Sequence, residues 1–497
     1  MDVIERIYEI DIDKNSEQPL YIQIYEKIRD LIELGILSAN AKLPPVRKLA
    51  SRLNVNMVTV INAYRLLEDN GYIYSRVGSG TYVSPMKAKS VQENILHDED
   101  RIIRDDFKLM DRGQVYIRSD AINFAGNSLS PEYFPVDIFK NLIIEILERD
   151  RGYAFGYQES QGFLPLRESI VNFLGEYGIY TTPDNVQVIS GAQQGLDIVS
   201  KALLNFGDKI IVESPTYAGA LAVFNTRGAK VIEVPVQSDG INTELLEYNL
   251  KNNRIKFIYV MPDFQNPTGI SYSLEKRKEL LRLAKKYNTL IIEDDYVGDL
   301  YYGESKEMPL KALDNGETVI YIKSFSKLFM PGLRLAFLVF PTKYYDEILS
   351  AKHISDISTS GLIQRVFDLY IRRNLWKSHI ENVRRIYKDK FKKMIDNLQK
   401  YMPKEVKYNL PKGGFNFWFS LPDGINSSFL YGEALRKGVL IIPGMVFFNN
   451  SALGERYIRL SFAEVKDEDI EKGIEMLGNI IKQHMDKKVQ KSLSPLL

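Results

Sequence analysis

The chain has no cysteine among its 497 residues. That excludes disulfides, thiolate metal ligands and cysteine nucleophiles, and it fits a reducing compartment. Histidine is almost as scarce: His97, His353, His379 and His484 stand far apart without metal-ligand spacing, so no metal site is expected. No apolar run approaches the length needed to cross a bilayer. The start Met1-Asp2-Val3-Ile4-Glu5-Arg6 lacks a basic stretch followed by an apolar one. A cytoplasmic chain without membrane contact is the expectation.

What is present is 45% hydrophobic and 26% charged residues, the balance of folded globular domains. The length exceeds one ordinary core, so two or more domains are expected. The net charge of +1 hides an uneven spread. Acids outnumber bases over residues 1–39, whereas 40–83 carry Lys42, Arg47, Lys48, Arg52, Arg65 and Arg76 against Glu68 and Asp69. A basic surplus confined to one small unit is the footprint of a duplex binder.

The same stretch predicts three short helices and a hairpin, over a domain at 15–84. Ile24, Ile28, Leu31 and Ile32 recur at helical spacing before Gly35. Pro44-Pro45 opens a second helix with Val46, Leu49, Ala50 and Leu53 on its buried face. After the turn Asn54-Val55-Asn56, a third helix buries Val60, Ala63, Tyr64 and Leu67 and ends near Asn70-Gly71. Strands at 72–75 and 81–83 flank Val77-Gly78-Ser79-Gly80. The pattern is a winged helix-turn-helix. Asn56, Thr59 and Asn62 are expected to face outward from the third helix. Amides pair bidentately with adenine edges, and threonine contacts phosphate or a thymine methyl. Arg47 and Arg76 are expected at phosphates or the minor groove, and Arg65 and Gly78 complete the DNA-facing set.

Leu43-Pro44-Pro45-Val46-Arg47-Lys48-Leu49-Ala50, Val58-Thr59-Val60 with Ala63-Tyr64-Arg65-Leu66-Leu67-Glu68, Gly71-Tyr72-Ile73 and Gly78-Ser79-Gly80-Thr81 together resemble the GntR family of regulators. Met57 departs from that pattern, standing where many relatives carry a basic or polar residue. A charged linker at 85–121 follows, read as a solvated tether with a short helix near 101–110 as the alternative.

From 122 to 485 strands and helices alternate. Strands are expected at 185–190, 209–213, 230–234, 257–261, 289–294 and 319–324, with helices between them such as 274–287. Alternation of this kind implies βαβ units and a mostly parallel sheet, whose ligands sit at the carboxyl ends of strands. The chemistry-bearing residues fall there. Gly191-Ala192-Gln193-Gln194-Gly195 opens a helix whose N–H groups could cradle phosphate. The acids of Glu293-Asp294-Asp295-Tyr296 either cap the next turn or hold a pyridine nitrogen protonated, with Tyr296 on the ring oxygen. Asn266-Pro267-Thr268-Gly269 is either a simple turn or a support that aims an amide at the same oxygen. In Ser324-Phe325-Ser326-Lys327 the lysine suits condensation with an aldehyde cofactor, while Ser324, Ser326 and Arg334 suit a phosphate. Residues 486–497 read as a polar tail.

These motifs, with Tyr157, Gly162, Pro165-Leu166-Arg167 and Tyr457-Ile458-Arg459-Leu460-Ser461-Phe462, resemble the fold-type I, class I/II aminotransferases in content and order. The resemblance implies a multidomain chain whose body is an α/β pyridoxal 5'-phosphate (PLP)-dependent transferase with a small C-terminal α+β subdomain. It implies PLP on Lys327, Asp294 at the pyridine nitrogen, Asn266 and Tyr296 at the ring oxygen, and Tyr217 stacked on the ring. Ala192, Gln193, Ser324, Ser326 and Arg334 would bind phosphate, and Arg459 a ligand carboxylate. Tyr157 would reach the neighbouring subunit's phosphate in a homodimer.

A GntR-like head on such a body resembles the MocR/GabR regulators. The implied function is a PLP-dependent DNA-binding regulator that senses a small amine or amino acid, or PLP itself, through a Schiff base. A dimer would present two heads to paired half-sites of double-stranded DNA. The alternative is a working aminotransferase with an appended head. Ala218-Gly219-Ala220 follow Tyr217 where some relatives place a second arginine, so no particular effector is implied.

Overall fold

A computed structural model describes residues 5–8, 10, 12, 19–33, 36–38, 40–69, 71–76, 79–84, 121–314 and 317–493. The chain divides into two compact units, Met1–Ile102 and Ile103–Leu497. The expected linker helix at 101–110 and Gly78 lie outside the described residues.

In the first unit α1 (Glu5–Tyr8), α2 (Leu20–Glu33), α3 (Val46–Arg52) and α4 (Met57–Asp69) precede the antiparallel hairpin of β1 (Ile73–Arg76) and β2 (Gly80–Val83). Ile24, Ile28 and Ile32 of α2 meet Leu49 of α3 and Val60, Ala63 and Leu67 of α4 in one buried core. The buried Tyr64 hydroxyl donates to the Pro44 carbonyl at 2.8 Å, which ties α4 to the entry of α3. Gly71, at φ +72°, takes the left-handed turn after α4. The Tyr72 N–H reaches back to the Leu67 carbonyl, so the first strand starts at Ile73, one residue later than the pattern predicts.

The second unit opens with β3 (Ile122–Asn123) and is built on an eight-stranded sheet. Its strands in chain order are β4 (Val186–Ile189), β5 (Lys209–Ser214), β6 (Lys230–Gln237), β7 (Gly240–Ile241), β8 (Ile255–Val260), β9 (Leu290–Asp295), β10 (Val319–Ser324) and β11 (Ala336–Val339). In space the order is β4-β11-β10-β9-β8-β5-β6-β7. The central pairs from β10 to β6 run parallel, and β11 and β7 run antiparallel to their neighbours. Strands β8, β9 and β10 are buried on both faces, which is why they read as near-continuous apolar runs. The six strands expected from sequence all coincide with observed ones. β11 and the two-residue β7 were not foreseen. β11 is a four-residue run, and its direction comes from the Pro331–Leu333 turn rather than from periodicity.

A smaller antiparallel sheet of β12 (Lys407–Tyr408), β13 (Asn416–Ser420), β15 (Ile442–Pro443) and β16 (Tyr457–Ser461) follows, while β14 (Val439–Leu440) pairs with β3. Helices Leu375–Tyr401 and Asp469–Leu493 pack on each other. The second of these runs on through residues 486–493, within the stretch read as a polar tail.

Candidate functional site

Three consecutive acids end β9, and strand alternation sends them to different faces. Glu293 is anchored by the N–H groups of Leu310 (2.7 Å) and Lys311 (2.8 Å). Asp295 accepts from the Tyr321 hydroxyl at 2.5 Å, the Lys323 ammonium at 3.0 Å and the Gly298 N–H at 2.8 Å. Lys323 also lies 3.0 Å from Asp299, which Lys306 contacts at 3.1 Å. Burial works to raise Asp295, but Lys323 and Lys306 outweigh it and hold the carboxyl below its ordinary range.

Asp294, between them, has the opposite character. Its Oδ2 accepts from the Tyr259 hydroxyl at 2.7 Å. Its Oδ1 is buried with no hydrogen-bond partner. Burial pushes the carboxyl up to about 6, against the Tyr259 hydrogen bond and with some help from Asp295.

Lys327 lies just past the end of β10, its carbonyl held by the Leu129 N–H at 2.9 Å. Burial, then the cations Arg459 and Arg334, push its ammonium down to about 8. Arg459, on β16, donates to Asn266 Oδ1 at 3.1 Å and to the Ala125 carbonyl at 2.5 Å. Its Nε is buried without a partner, and burial lowers the group to about 10. The bond from Arg459 uses the Asn266 oxygen and leaves that amide's NH2 to donate elsewhere. The Tyr296 hydroxyl donates to the Phe264 carbonyl at 2.6 Å and accepts from Asn416 at 3.1 Å. Its one proton points at backbone. The Tyr217 hydroxyl meets Gln193 Oε1 at 3.3 Å, while Gln193 Nε2 donates to the Gly219 carbonyl at 2.8 Å. A Cβ at Gly219 would lie 2.5 Å from the Tyr217 ring, so glycine there makes room for that ring.

Gly191, at φ +93°, leads into helix Ala192–Leu203. The first N–H groups of a helix have no intrahelical acceptor, so those of Ala192 and Gln193 can bind an anion. Arg334 sits beside them, donating to the Ser190 carbonyl at 3.1 Å. A Cβ on Gly191 would lie 2.3 Å from its guanidinium. Ser324 and Ser326 are joined by an N–H to Oγ bond at 3.2 Å. These residues therefore offer an orphaned acid, a lysine with a lowered pKa and an anion cradle. That donor set fits PLP.

Mutual electrostatic influence ties Lys327, Asp294, Arg459, Arg334, Tyr217 and Tyr296 into one cluster. Tyr157 is not among them. It is 87% exposed, beside exposed Tyr153 and Phe155. Sequence reasoning missed Tyr259, Asn416, Ala125 and Glu464, the last held by Ser128 at 2.7 Å and Asn123 at 2.9 Å. Tyr259 alone carried a signal, as a polar ring inside the apolar run of β8.

In the head, Arg47, Asn62, Arg65 and Arg76 are exposed and Thr59 is half-buried. Asn56 is exposed as well. It precedes α4, and its Oδ1 accepts the Val58 N–H at 3.0 Å as a helix cap. The Arg76 guanidinium lies over the rings of Tyr74 (5.3 Å) and Tyr82 (5.6 Å) on the wing. Among the described residues no group of acids and histidines could hold a metal ion, and no helix is long and apolar enough to cross a membrane.

Residues 120–477 match the family described as aminotransferase class I and II, and residues 20–83 the gntR family of bacterial regulatory proteins. The HTH-type transcriptional regulator YdfD of Bacillus subtilis, itself uncharacterized, is 32% identical over 95% of this chain and 98% of its own length. The kynurenine aminotransferase of Pyrococcus horikoshii, solved in complex with PMP, is 34% identical with a TM-score of 0.72, over 80% of this chain and 96% of that one. LysN, the alpha-aminoadipate aminotransferase of Thermus thermophilus, complexed with N-(5'-phosphopyridoxyl)-L-leucine, is 33% identical with a TM-score of 0.71, over 80% of this chain and 99% of that one.

Proposed function

This chain belongs to the class I and II aminotransferase family and, through its gntR-family head, to the MocR/GabR regulators; on that premise we propose that it is a PLP-dependent DNA-binding regulator that senses a small amine. The observation that carries the proposal is the orphaned Asp294 Oδ1, in one electrostatic cluster with Lys327, in a chain that bears a DNA-binding head.

PLP, when bound, supplies an aldehyde that condenses with amines and a ring that withdraws electrons. Asp294 would hold the pyridine nitrogen, Asn266 the ring oxygen and Tyr217 the ring face. The N–H groups of Ala192 and Gln193, with Ser324, Ser326 and Arg334, would hold the phosphate. Lys327, at about 8, keeps a fraction of its amine unprotonated near neutrality and so is ready to bond or to move a proton. Arg459 would take the carboxylate of an amino-acid ligand, whose arrival would compete with Asn266 and Ala125 for its donors. The exposed Tyr157, Tyr153 and Phe155 support a homodimer in which Tyr157 serves the partner's phosphate. A ligand shifts DNA binding only through unequal affinity for two arrangements of the chain.

The test is footprinting of the protein on its own upstream region, with the absorbance spectrum titrated by candidate amines. An amine that changes both the spectrum and the footprint supports the regulator. A second reading, a working aminotransferase, is favoured by the presence of both Lys327 and Arg459 and by the enzymes at 33–34% identity. Many turnovers on an amino acid and keto acid pair, without any footprint, would establish it instead.

A further inference from the structure

Helix α4 is used on one face only. Val60, Ala63, Tyr64 and Leu67 are buried in the head's core. On the other face Met57, Val58 and Ile61 stand 50%, 57% and 49% exposed. Asn62 and Arg65 share that face at spacings of three and four residues. Large aliphatic side chains on the outside of a small soluble domain call for an occupant. The same unit exposes cations, Arg47, Lys48, Arg52, Arg65 and Arg76, with Arg65 on the face itself. A polyanion is complementary to that charge, and an apolar protein surface is not.

We infer that Val58 and Ile61, assisted by Met57, read thymine C5-methyl groups in the major groove, and that Asn62 on the same face reads the adenine of a neighbouring pair. The inference rests on the head's being a DNA binder and names the base chemistry that it recognises. The thymine methyl is the one apolar feature of the major groove, and an asparagine amide pairs with adenine N6 and N7. Asn56 cannot serve with its oxygen, which caps the helix. The helix carries no cation between Met57 and Asn62, so guanine reading is not available there. The half-site therefore carries thymines at fixed positions beside the adenine that Asn62 reads.

The test uses the full-length protein and a duplex that it selects from a randomised library. The same duplex is then made with deoxyuridine for thymidine, which removes only the methyl groups. Binding is expected to weaken about fourfold for each contacted thymine, the effect of one buried methyl. In the doubly substituted Val58→Ser, Ile61→Ser protein, thymine and uracil duplexes should bind alike, with phosphate-driven binding retained. Both side chains are exposed, so the head's core is untouched. If that variant nevertheless fails to fold, the wild-type comparison of the two duplexes still decides. Equal binding of both duplexes by the wild type, or discrimination that survives in the variant, overturns the inference. A variant altered in oligomeric state with thymine discrimination unchanged makes the patch a protein contact and overturns it as well. Failure to select any duplex would instead sink the DNA-binding reading itself.

Discussion

Tyr259 donates its hydroxyl to one oxygen of Asp294 at 2.7 Å, and the other oxygen is buried with nothing to accept from. A carboxylate half satisfied in this way is costly in the empty protein and ready for a cationic partner. Its carboxyl lies at about 6 against an ordinary 3.8. A raised folded pKa gives stability that is complete below the ordinary value and is lost as pH rises through about 6. Asp294→Asn should therefore stabilise the PLP-free protein at pH 7, by on the order of 2 kcal/mol, while PLP uptake collapses. Urea unfolding and spectrophotometric titration measure the two effects. A destabilised variant with normal uptake would contradict the assignment.

Lys327 should attach PLP at a rate that climbs with pH up to about 8 and then levels, because only the unprotonated amine reacts. Stopped-flow absorbance gives the profile. Borohydride trapping followed by mass mapping should label the peptide that contains Lys327 and leave the Lys327→Ala protein unlabelled.

Lys323 is buried between Asp295 and Asp299, 3.0 Å from each. Lys323→Met strands two acids and should cost about 3–5 kcal/mol. Adding Asp295→Asn should recover part of that loss. Both acids are held below the ordinary carboxylate range, so the stability they confer is present above that range and lost only as pH falls through their depressed values. Denaturant melts of the single and double variants at pH 7 and pH 3 check both statements.

Gly191→Ala should weaken PLP binding roughly tenfold or more, given a left-handed φ and a Cβ directed at Arg334. Pyridoxal, which lacks the phosphate, should bind the variant and the parent alike. Equal losses for both ligands would mean a general distortion instead of damage to the phosphate cradle.

The sequence disclosed the repeating units better than the joints between them. Strands β4, β5, β6, β8, β9 and β10 were legible because each is a short apolar run between turn residues, and the site motifs lie where these runs end. β11 was not, because four apolar residues carry no direction. Tyr259 stands out as a polar ring in an apolar run, but its pairing with Asp294 was hidden because the two lie 35 positions apart on neighbouring strands. The bonds from Arg459 to Ala125 and to Asn266 cross 334 and 193 positions, and no local spacing encodes them. In the head, the capping role of Asn56 Oδ1 was not legible, because asparagine suits both an adenine and a helix cap and residue type does not tell them apart.

The acids of β9 also protect the chain against a folding error. A shift of one residue in this strand would exchange its two faces. Asp294 would then meet Lys323 and be neutralised, giving a compact protein with a dead cleft. Glu293 and Asp295 guard against this, because each already receives specific donors on the far face. They fix the phase of the strand. The middle acid can keep one oxygen unmatched, and free for chemistry, because its two neighbours are held.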